Sequence, residues 1–350
     1  MNDLKDGLER FLAEVYLSRQ DLAVDRLANI SDGWESEMYS FILSFGAAAS
    51  RTEETLILRI YPGDHASEKS QRESAGMRRL FEAGYPVPRI CAVDSSGLGY
   101  IDQPFVIMEF VDGQVMWFML AEMPDQASML LIELYCRLFV RLHTLDWRLF
   151  VGEEINKYED DPYRFVDSWF TQGKEALKRN PVIDLSAVMS WLEERRDQLA
   201  CPQPSAVHQD FHPGNVLVID DGIPVVIDWT GFDVSDYRFD LAWALVLVNA
   251  YSGKEYRDAI LKTYETIKGT QVENIEIFEV FACSRRLFDV FVSLTAGPQR
   301  LGMRPEAEKA IREQLFAVER VYQLLVQRTG IVLEDVEEFL LRERNIEGTG

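Results

Sequence analysis

The chain has 350 residues, of which 47% are hydrophobic and 27% are charged, and its formal net charge is −22. This length exceeds what a single hydrophobic core usually supports, so we expect two domains. The excess of acidic residues argues against nucleic acid or an anionic membrane as a partner, and it favours a cationic or amine-bearing substrate.

The four cysteines are scattered and form no paired motif, which is typical of a protein in a reducing cytoplasm. The N-terminal residues contain no apolar signal core, and no apolar run approaches the ~18 residues of a membrane span. The longest apolar stretch, residues 241–250, indicates a buried helix. We therefore expect a cytoplasmic protein without a membrane segment.

Residues 1–111 show the pattern of a small sheet with few helices, which we predict to be the first domain. Hydrophobic spacing predicts one or two amphipathic helices in residues 3–28 and another helix in residues 68–83, just before Gly84. The predicted strands are residues 38–45, 55–61, 89–93 and 104–110.

Residues 112–350 are dominated by helical spacing, which we predict to be the second domain. The predicted helices are residues 128–145, 184–199, 239–249, 254–268, 274–294, 306–328 and 333–344. A loop and hairpin at residues 206–229 interrupt them. The predicted fold class is α+β, with a small antiparallel sheet in the first domain and a larger, mostly helical second domain.

The hairpin motif places two oxygen-bearing side chains at a defined spacing. Two apolar runs flank Asp221-Gly222, a pair that favours a two-residue type I′ turn. With that turn, Asn215 faces Asp228 at a non-hydrogen-bonded pair, with Cβ atoms roughly 4.5–5.5 Å apart. Two such oxygen ligands can share one Mg²⁺, which completes its shell with water and phosphate oxygens. The spacing therefore predicts a magnesium site.

Asp210 precedes this hairpin in a loop that Pro213 and Gly214 keep from becoming helical. An ionised aspartate can accept the proton of an attacking hydroxyl group. One base and two metal ligands are the parts that phosphoryl transfer requires. Each of these residues, taken alone, is also an ordinary turn former.

A different metal chemistry is the alternative for this segment. His208-x-Asp210 is also the start of a facial triad for non-haem iron, which needs a second histidine elsewhere in the chain. The chain has four histidines, and none follows His212. The residues therefore favour the magnesium interpretation over the iron one.

Residues 208–229 carry a family resemblance. His208-x-Asp210-x-x-x-x-Asn215 and Ile227-Asp228-Trp229 match, without gaps, the patterns of the aminoglycoside phosphotransferase and choline kinase family. The resemblance covers about residues 28–300. It implies a protein-kinase-like fold of two lobes, with residues 1–111 as the nucleotide-binding lobe and residues 112–350 as the lobe with the catalytic loop and acceptor site.

The resemblance assigns roles to residues of the second lobe and of the hairpin. It implies that Asp210 is the catalytic base, that Asn215 and Asp228 bind Mg²⁺, and that His208 is the structural histidine of the catalytic loop. Asp240 is similar to an aspartate that braces this loop. Its alternative is the N-cap of the helix that follows.

In the first lobe the resemblance concerns phosphate binding. Residues 31–37 resemble the loop that covers the nucleotide, so Gly33 and Ser36 are expected near the phosphates. Arg59 stands where better-known relatives have a lysine that contacts the α- and β-phosphates, and Glu73 matches the helix glutamate that pairs with it. Arginine and lysine differ in shape, so this exchange lowers the expected activity.

Residues 105–111 resemble the strand and hinge whose backbone contacts adenine. The resemblance implies that Glu109 and Val111 bind the base and that Met108 lies beside it. A buried strand is the alternative for these residues, and both interpretations are compatible.

From these residues we expect an enzyme that transfers the γ-phosphoryl group of ATP or GTP to a hydroxyl group of a small molecule, with Mg²⁺. The alternative is a nucleotide-binding regulatory protein with little activity, which Arg59 favours. Two groups of residues could form the acceptor site. An acidic group, whose alternative is an exposed loop, consists of Glu153, Glu154, Glu159, Asp160 and Asp161. An aromatic group, whose alternative is a hydrophobic core, consists of Trp117, Tyr158, Tyr163, Trp169 and Phe170.

Overall fold

The computed structural model describes residues 2–30, 36–47, 50–63, 65–123, 125–301, 303 and 305–347. Contacts between residues group the chain into two compact units. The first unit contains Met1–Val115 and Val216–Phe232, and the second contains Met116–Asn215 and Asp233–Gly350. The functional division after residue 111 stays a prediction.

The first unit is built on an antiparallel sheet. Its helices are α1 (Asn2–Val15) and α2 (Ala66–Glu82). Its first strands are β1 (Ala23–Asn29), β2 (Glu37–Phe45), β3 (Thr52–Ile60), β4 (Ile90–Asp94) and β5 (Phe105–Glu109). These five strands have the order β1-β2-β3-β5-β4, and each neighbouring pair is antiparallel.

Alternation along β3 gives the sheet two different faces. Leu56 and Leu58 belong to the buried cluster that includes Leu8 and Leu12 of α1. Since successive side chains of a strand point to opposite faces, Arg59 lies on the other face. There its guanidinium group contacts Glu73 of α2. The sheet therefore separates an apolar core from a buried charged pair.

The predicted helical region 3–28 is only partly helical. Helix α1 ends at Val15, and residues 23–29 form the edge strand β1. Val24 is fully buried and pairs with Leu43 of β2. The register shifts between Asp25 and Ala28, where Arg26 has φ 50°, so a bulge disturbs the period-2 pattern that would have indicated a strand.

The hairpin register predicted from Asp221-Gly222 is wrong by one residue. Strands β6 (Gln114–Val115), β8 (Val216–Val218) and β9 (Pro224–Val226) form a sheet of order β6-β8-β9. Val216 pairs with Val226 and Val218 with Pro224, so the ladder does not place Asn215 opposite Asp228.

The turn itself explains this shift. Residues Asp220–Gly222 form a 3₁₀ turn, and Ile219 N–H donates to Ile223 O at 2.9 Å. Only Gly222, with φ 74°, is left-handed in this three-residue loop, whereas a type I′ turn would also require a positive φ at Asp221. The geometric argument for a shared metal therefore fails.

The second unit contains the remaining elements. Its helices are α3 (Met116–Glu122), α4 (Asp125–His143), α5 (Arg148–Val151), α6 (Ile155–Glu159), α7 (Arg164–Arg179), α8 (Ser186–Glu193), α9 (Tyr237–Ser252), α10 (Lys254–Lys268), α11 (Ile275–Thr295), α12 (Ala307–Glu313), α13 (Leu315–Thr329) and α14 (Glu334–Glu347). Its short strands β7 (Ser205–Val207) and β10 (Asp233–Ser235) are paired. Among the described residues, no helix is long and apolar enough to cross a membrane.

The α+β class predicted from the sequence is confirmed. Most of the predicted helices of the second unit are present, and α10 has the predicted bounds. The single helix predicted for residues 306–328 is instead two helices, α12 and α13. Helix α7 was not predicted.

Candidate active site

The loop of residues 208–215 starts directly after β7, where Val207 pairs with Asp233 of β10. Gln209 has φ 65°, a left-handed conformation that turns the chain sharply at this point. The 3₁₀ turn Pro213–Asn215 ends the loop. The loop is therefore fixed at both ends by regular hydrogen bonding.

Asp240 of α9 holds the first two residues of this loop. Its carboxylate accepts hydrogen bonds from His208 N–H at 2.7 Å and from Gln209 N–H at 2.8 Å, and its side chain is fully buried. The predicted bracing role is confirmed. The N-cap alternative is wrong, because the cap of α9 is Asp236, which accepts from Arg238 N–H at 2.9 Å.

The two buried histidines near this aspartate are structural. His208 is fully buried, and its Nδ1 accepts the backbone N–H of Asp210 at 3.3 Å. His143 lies 3.3 Å from Asp240 through Nε2 and 2.8 Å from the Tyr264 hydroxyl through Nδ1. Burial lowers the pKa of His143 despite the neighbouring Asp240.

The iron alternative is not supported by these positions. The ring of His208 is enclosed in the protein, whereas the carboxylate of Asp210 is 42% exposed. Within the described ranges, the structure contains no cluster of three or more His, Cys, Asp or Glu side chains suited to a metal.

Asp210 presents a carboxylate that is fixed and partly exposed. Its Oδ1 accepts the indole N–H of Trp243 at 2.7 Å, and His212 Nε2 lies 3.6 Å from its Oδ2. Burial opposes ionisation, but the His212 imidazole and the hydrogen bond from Trp243 outweigh it and hold the pKa of Asp210 well below its usual range. Asp210 is therefore ionised at neutral pH.

Asn215 is oriented by the same aspartate. Its Nδ2 donates to the backbone oxygen of Asp210 at 3.0 Å and to Asp210 Oδ2 at 3.3 Å. Both hydrogen bonds use the amide nitrogen. The amide oxygen is thus the atom of Asn215 that can serve as a metal ligand, and it is of the type that Mg²⁺ prefers.

In the first unit, Arg59 joins two carboxylates. Its Nη1 lies 3.0 Å from Glu73 Oε1, and its Nη2 lies 3.0 Å from Asp228 Oδ1. The Tyr61 hydroxyl donates to Glu73 Oε2 at 2.6 Å. Burial favours the neutral guanidine, but Glu73 and Asp228 outweigh it and raise the pKa of Arg59. The predicted pairing of Arg59 with Glu73 is confirmed.

Asp228 lies at the start of a turn and has a partly exposed carboxylate. It lies beyond β9 in a left-handed conformation, with φ 64° and ψ 63°. Its Oδ1 accepts from Arg59 and from the Thr230 hydroxyl at 3.1 Å, and its side chain is 41% exposed. The other carboxylate oxygen of Asp228, Oδ2, is a ligand of the type that a hard cation such as Mg²⁺ prefers.

The other predicted nucleotide contacts stay predictions. Gly33 lies outside the described residues, and Ser36 is buried just before β2. Met108 is buried, and the exposed Glu109 donates its backbone N–H to Arg89 O at 3.0 Å. Val111 follows β5 in the connection toward β6.

Sequence reasoning missed the role of Trp243, which it placed in a buried apolar run. A buried indole N–H needs an acceptor, and Trp243 lies three residues after Asp240, on the same face of α9. That spacing was the available signal. His212, considered only as an iron ligand, also contacts Asp210.

The proposed acceptor features are dispersed. Trp169 and Phe170 pack against Phe281, and Glu159 forms an ion pair with Arg148 at 2.6 Å. Of the five aromatic residues singled out, Trp117 contacts the loop of residues 208–215, with its ring 5.4 Å from that of His212.

Known proteins share a sequence family and a fold with this chain. The sequence model of the phosphotransferase enzyme family, APH, matches residues 26–273. A protein assigned as an aminoglycoside phosphotransferase from Ralstonia eutropha JMP134 is similar in structure, with a TM-score of 0.61, 18% identity, and coverage of 91% of this chain and 98% of that chain.

Two further structures are similar at comparable coverage. A thermostable mutant of aminoglycoside phosphotransferase APH(4)-Ia, in a ternary complex with ADP and hygromycin B, gives a TM-score of 0.59 with 16% identity, covering 93% of this chain and 99% of that chain. The GDP and kanamycin complex of APH(2″)-IIIa gives 0.54 with 14% identity, covering 92% and 98%. At these identities the likeness shows the fold, while the match to the family model extends over most of the chain. The chain therefore belongs to the phosphotransferase enzyme family.

Proposed function

We propose that this protein transfers the γ-phosphoryl group of ATP or GTP to a hydroxyl group of a small molecule. The observation that carries the proposal is the carboxylate of Asp210, which is ionised, 42% exposed and fixed by Trp243. The family match supports the reaction class. The related structures that contain ADP or GDP with an aminoglycoside support a nucleotide and a small-molecule acceptor.

Asp210 orients the acceptor hydroxyl group and takes its proton. The acceptor oxygen forms a bond to the γ-phosphorus as the bond to the β,γ-bridging oxygen breaks, and the nucleoside diphosphate leaves. Because the pKa of Asp210 is lowered, the carboxylate is a weak base. Its main contribution is therefore to position the hydroxyl group, with proton transfer late in the reaction.

The remaining roles follow the family pattern. Asn215 and Asp228 would hold Mg²⁺, which supplies neutralisation of the phosphate charge when it is bound. Arg59, oriented by Glu73, adds positive charge for the phosphates. Gly33 and Ser36 would contact the phosphates, and the backbone of Glu109 and Val111 would contact the base. His208 supports the loop.

One observation favours the second candidate, a nucleotide-binding regulatory protein with little activity. Both terminal nitrogens of Arg59 are engaged by carboxylates, Nη1 by Glu73 and Nη2 by Asp228. A phosphate group must compete with these ion pairs for the guanidinium group. Nucleotide binding without turnover of any acceptor would favour this candidate.

The test compares turnover and nucleotide binding in two variants. Asp210→Asn keeps an acceptor for Trp243 but removes the charge, and we expect turnover to fall roughly 10²–10⁴-fold while MgATP still binds. Asp228→Asn should instead weaken magnesium-dependent nucleotide binding. Asp197→Asn is the control, since Asp197 is a fully exposed aspartate of the second unit with a 95% exposed side chain. Near-normal turnover in Asp210→Asn would refute the proposal.

A further inference from the structure

Six side chains of the second unit form two series of contacts, one that starts at Asp210 and one that starts at its neighbour His212. We call this set the acceptor rim. It consists of Trp243, Arg285, Asp289, Arg286, Tyr251 and Trp117. Since Asp210 is the proposed acceptor-binding base, the chemistry of this rim indicates the class of acceptor.

The first part of the rim links a guanidinium group to Asp210 through Trp243. Arg285 of α11 lies 4.0 Å from the centroid of the Trp243 ring, whose N–H donates to Asp210. Its Nη1 donates to the backbone oxygen of Gln209 at 3.3 Å. The side chain of Arg285 is still 43% exposed. Stacking and one hydrogen bond thus fix the plane of the guanidinium group. The side chain is nevertheless partly accessible to a ligand.

The second part of the rim starts at His212, which also contacts Asp210. Trp117 packs against His212, and its ring lies 5.6 Å from that of Tyr251. The Tyr251 hydroxyl accepts from Arg286 Nη2 at 3.0 Å. A second arginine is therefore held in the rim.

Asp289 extends the first part of the rim. Its Oδ2 lies 3.9 Å from Arg285 Nε. Burial raises the pKa of Asp289, whereas Arg285 and Arg286 oppose this effect. One carboxylate of the rim is thus paired with Arg285.

The local charge therefore differs from that of the whole chain. The net charge of −22 favours a cationic substrate, but the rim carries two arginines and one aspartate beside Asp210. With Asp210 included, two aspartates face two arginines, so this region has no excess of negative charge for a polycation. A planar guanidinium group binds a carboxylate through two parallel hydrogen bonds.

We propose that the acceptor is a hydroxy acid, whose carboxylate is bound by Arg285 while its hydroxyl group is bound by Asp210. The aromatic side chains of the rim would contact the carbon skeleton between these two groups. This inference rests on the proposed phosphotransferase function and specifies its substrate class. It makes Arg285 a specificity-determining residue.

The test uses pairs of acceptors that differ only in charge. Transfer from MgATP is measured with D-glycerate and glyceramide, with D-gluconate and gluconamide, and with kanamycin. We expect at least one acid to be phosphorylated with a kcat/KM roughly 10- to 100-fold higher than that of its amide, because a hydrogen bond to a charged group is stronger.

Variants then connect this preference to Arg285. Arg285→Gln should raise KM for the acid about 10-fold or more, with little change for the amide, so that the preference is lost. Arg285→Lys keeps the charge without the planar fork, and it should retain part of the preference. Arg195→Gln is the matched control, because Arg195 also stacks on a tryptophan, 3.8 Å from the Trp191 ring centroid. Circular dichroism confirms that each variant is folded.

Specific outcomes overturn the inference. These are phosphorylation of kanamycin or of the amides in preference to the acids, no acid phosphorylated above the ATPase background, or an acid preference that Arg285→Gln leaves intact. If kanamycin is phosphorylated and Asp210→Asn abolishes this activity, the proposed function stands and only the substrate class is wrong. If MgATP does not bind, as measured by calorimetry, the proposed function itself fails.

Discussion

The hydrogen bonds that Asp240 accepts make a sharp prediction for Asp240→Asn. In the native protein its carboxylate accepts two backbone N–H groups, His208 at 2.7 Å and Gln209 at 2.8 Å, and it is fully buried. The asparagine oxygen can replace one acceptor. The amide nitrogen must then face the other N–H group, so a buried donor loses its partner.

The magnitude follows from these contacts. Loss of a hydrogen bond to a charged group costs about 1.5–3 kcal/mol, and a buried unsatisfied donor costs about 1–3 kcal/mol. Because the two terms overlap, we expect the free energy of unfolding to fall by about 2–4 kcal/mol. A domain has only about 5–15 kcal/mol in total. Urea unfolding, followed by circular dichroism, measures this change.

Catalysis should suffer beyond the loss of stability. Gln209 is held with φ 65° by this contact, and it directly precedes Asp210. Release of the loop misplaces the base, and we expect kcat to fall roughly 10- to 100-fold under conditions where the variant is fully folded.

The control lies on the same helix. Asp236 is also buried, and its carboxylate accepts from Arg238 rather than from the loop. Asp236→Asn should lose stability but keep near-normal kcat. The reasoning is refuted if Asp240→Asn has the same urea midpoint of unfolding and the same kcat as the native protein. It is also refuted if Asp240→Asn and Asp236→Asn lose kcat equally.

Two further predictions concern the same loop. Because the pKa of Asp210 is lowered, its carboxylate stays charged as the pH falls, so kcat should decline through this group only below about pH 4. His212→Gln removes one cause of the lowered pKa and should move that decline to higher pH, and pH–rate profiles with equal midpoints would contradict the assignment. In Gly214→Ala the new Cβ would lie 2.7 Å from His212 Cε1, displacing the imidazole from Asp210, and we expect a loss of turnover of about tenfold. Gly173→Ala, whose Cβ would have ordinary contacts at 3.5 Å, should keep full turnover, and equal behaviour of the two variants would disprove the steric argument.

The catalytic loop shows how far the residues themselves could be interpreted. Asp210, Asn215 and Asp228 were predicted as site residues from residue type and spacing, and their roles stay predictions, whereas the family resemblance built on them is confirmed. The hairpin argument failed, because one left-handed Gly222 suffices for a three-residue turn, and that choice shifts the register by one residue. A turn type is defined by the backbone dihedral angles of the loop. The dipeptide Asp221-Gly222 favours one set of angles but does not impose it.

Edge strand β1 was missed for a related reason. Its bulge breaks the alternation, and only pairing with β2 gives residues 23–29 their extended conformation. Conversely, the pairing of Arg59 with Glu73 was predicted from a family pattern and is present, because both side chains are buried and each needs a partner. The sequence did not indicate a role for Arg285, because the residues that it contacts, Trp243 and Gln209, are distant from it in the chain.

By itself the sequence determined the fold class and the family, and it predicted Asp210 as the base, since these depend on local hydrophobic period and on short motifs. The tertiary structure alone decided what surrounds that base. The stacking of Arg285 on Trp243, the contact of Arg286 with Tyr251 and the bracing by Asp240 join residues that are 32 to 42 positions apart in the chain. Packing between helices sets such contacts, and they determine the charge around Asp210.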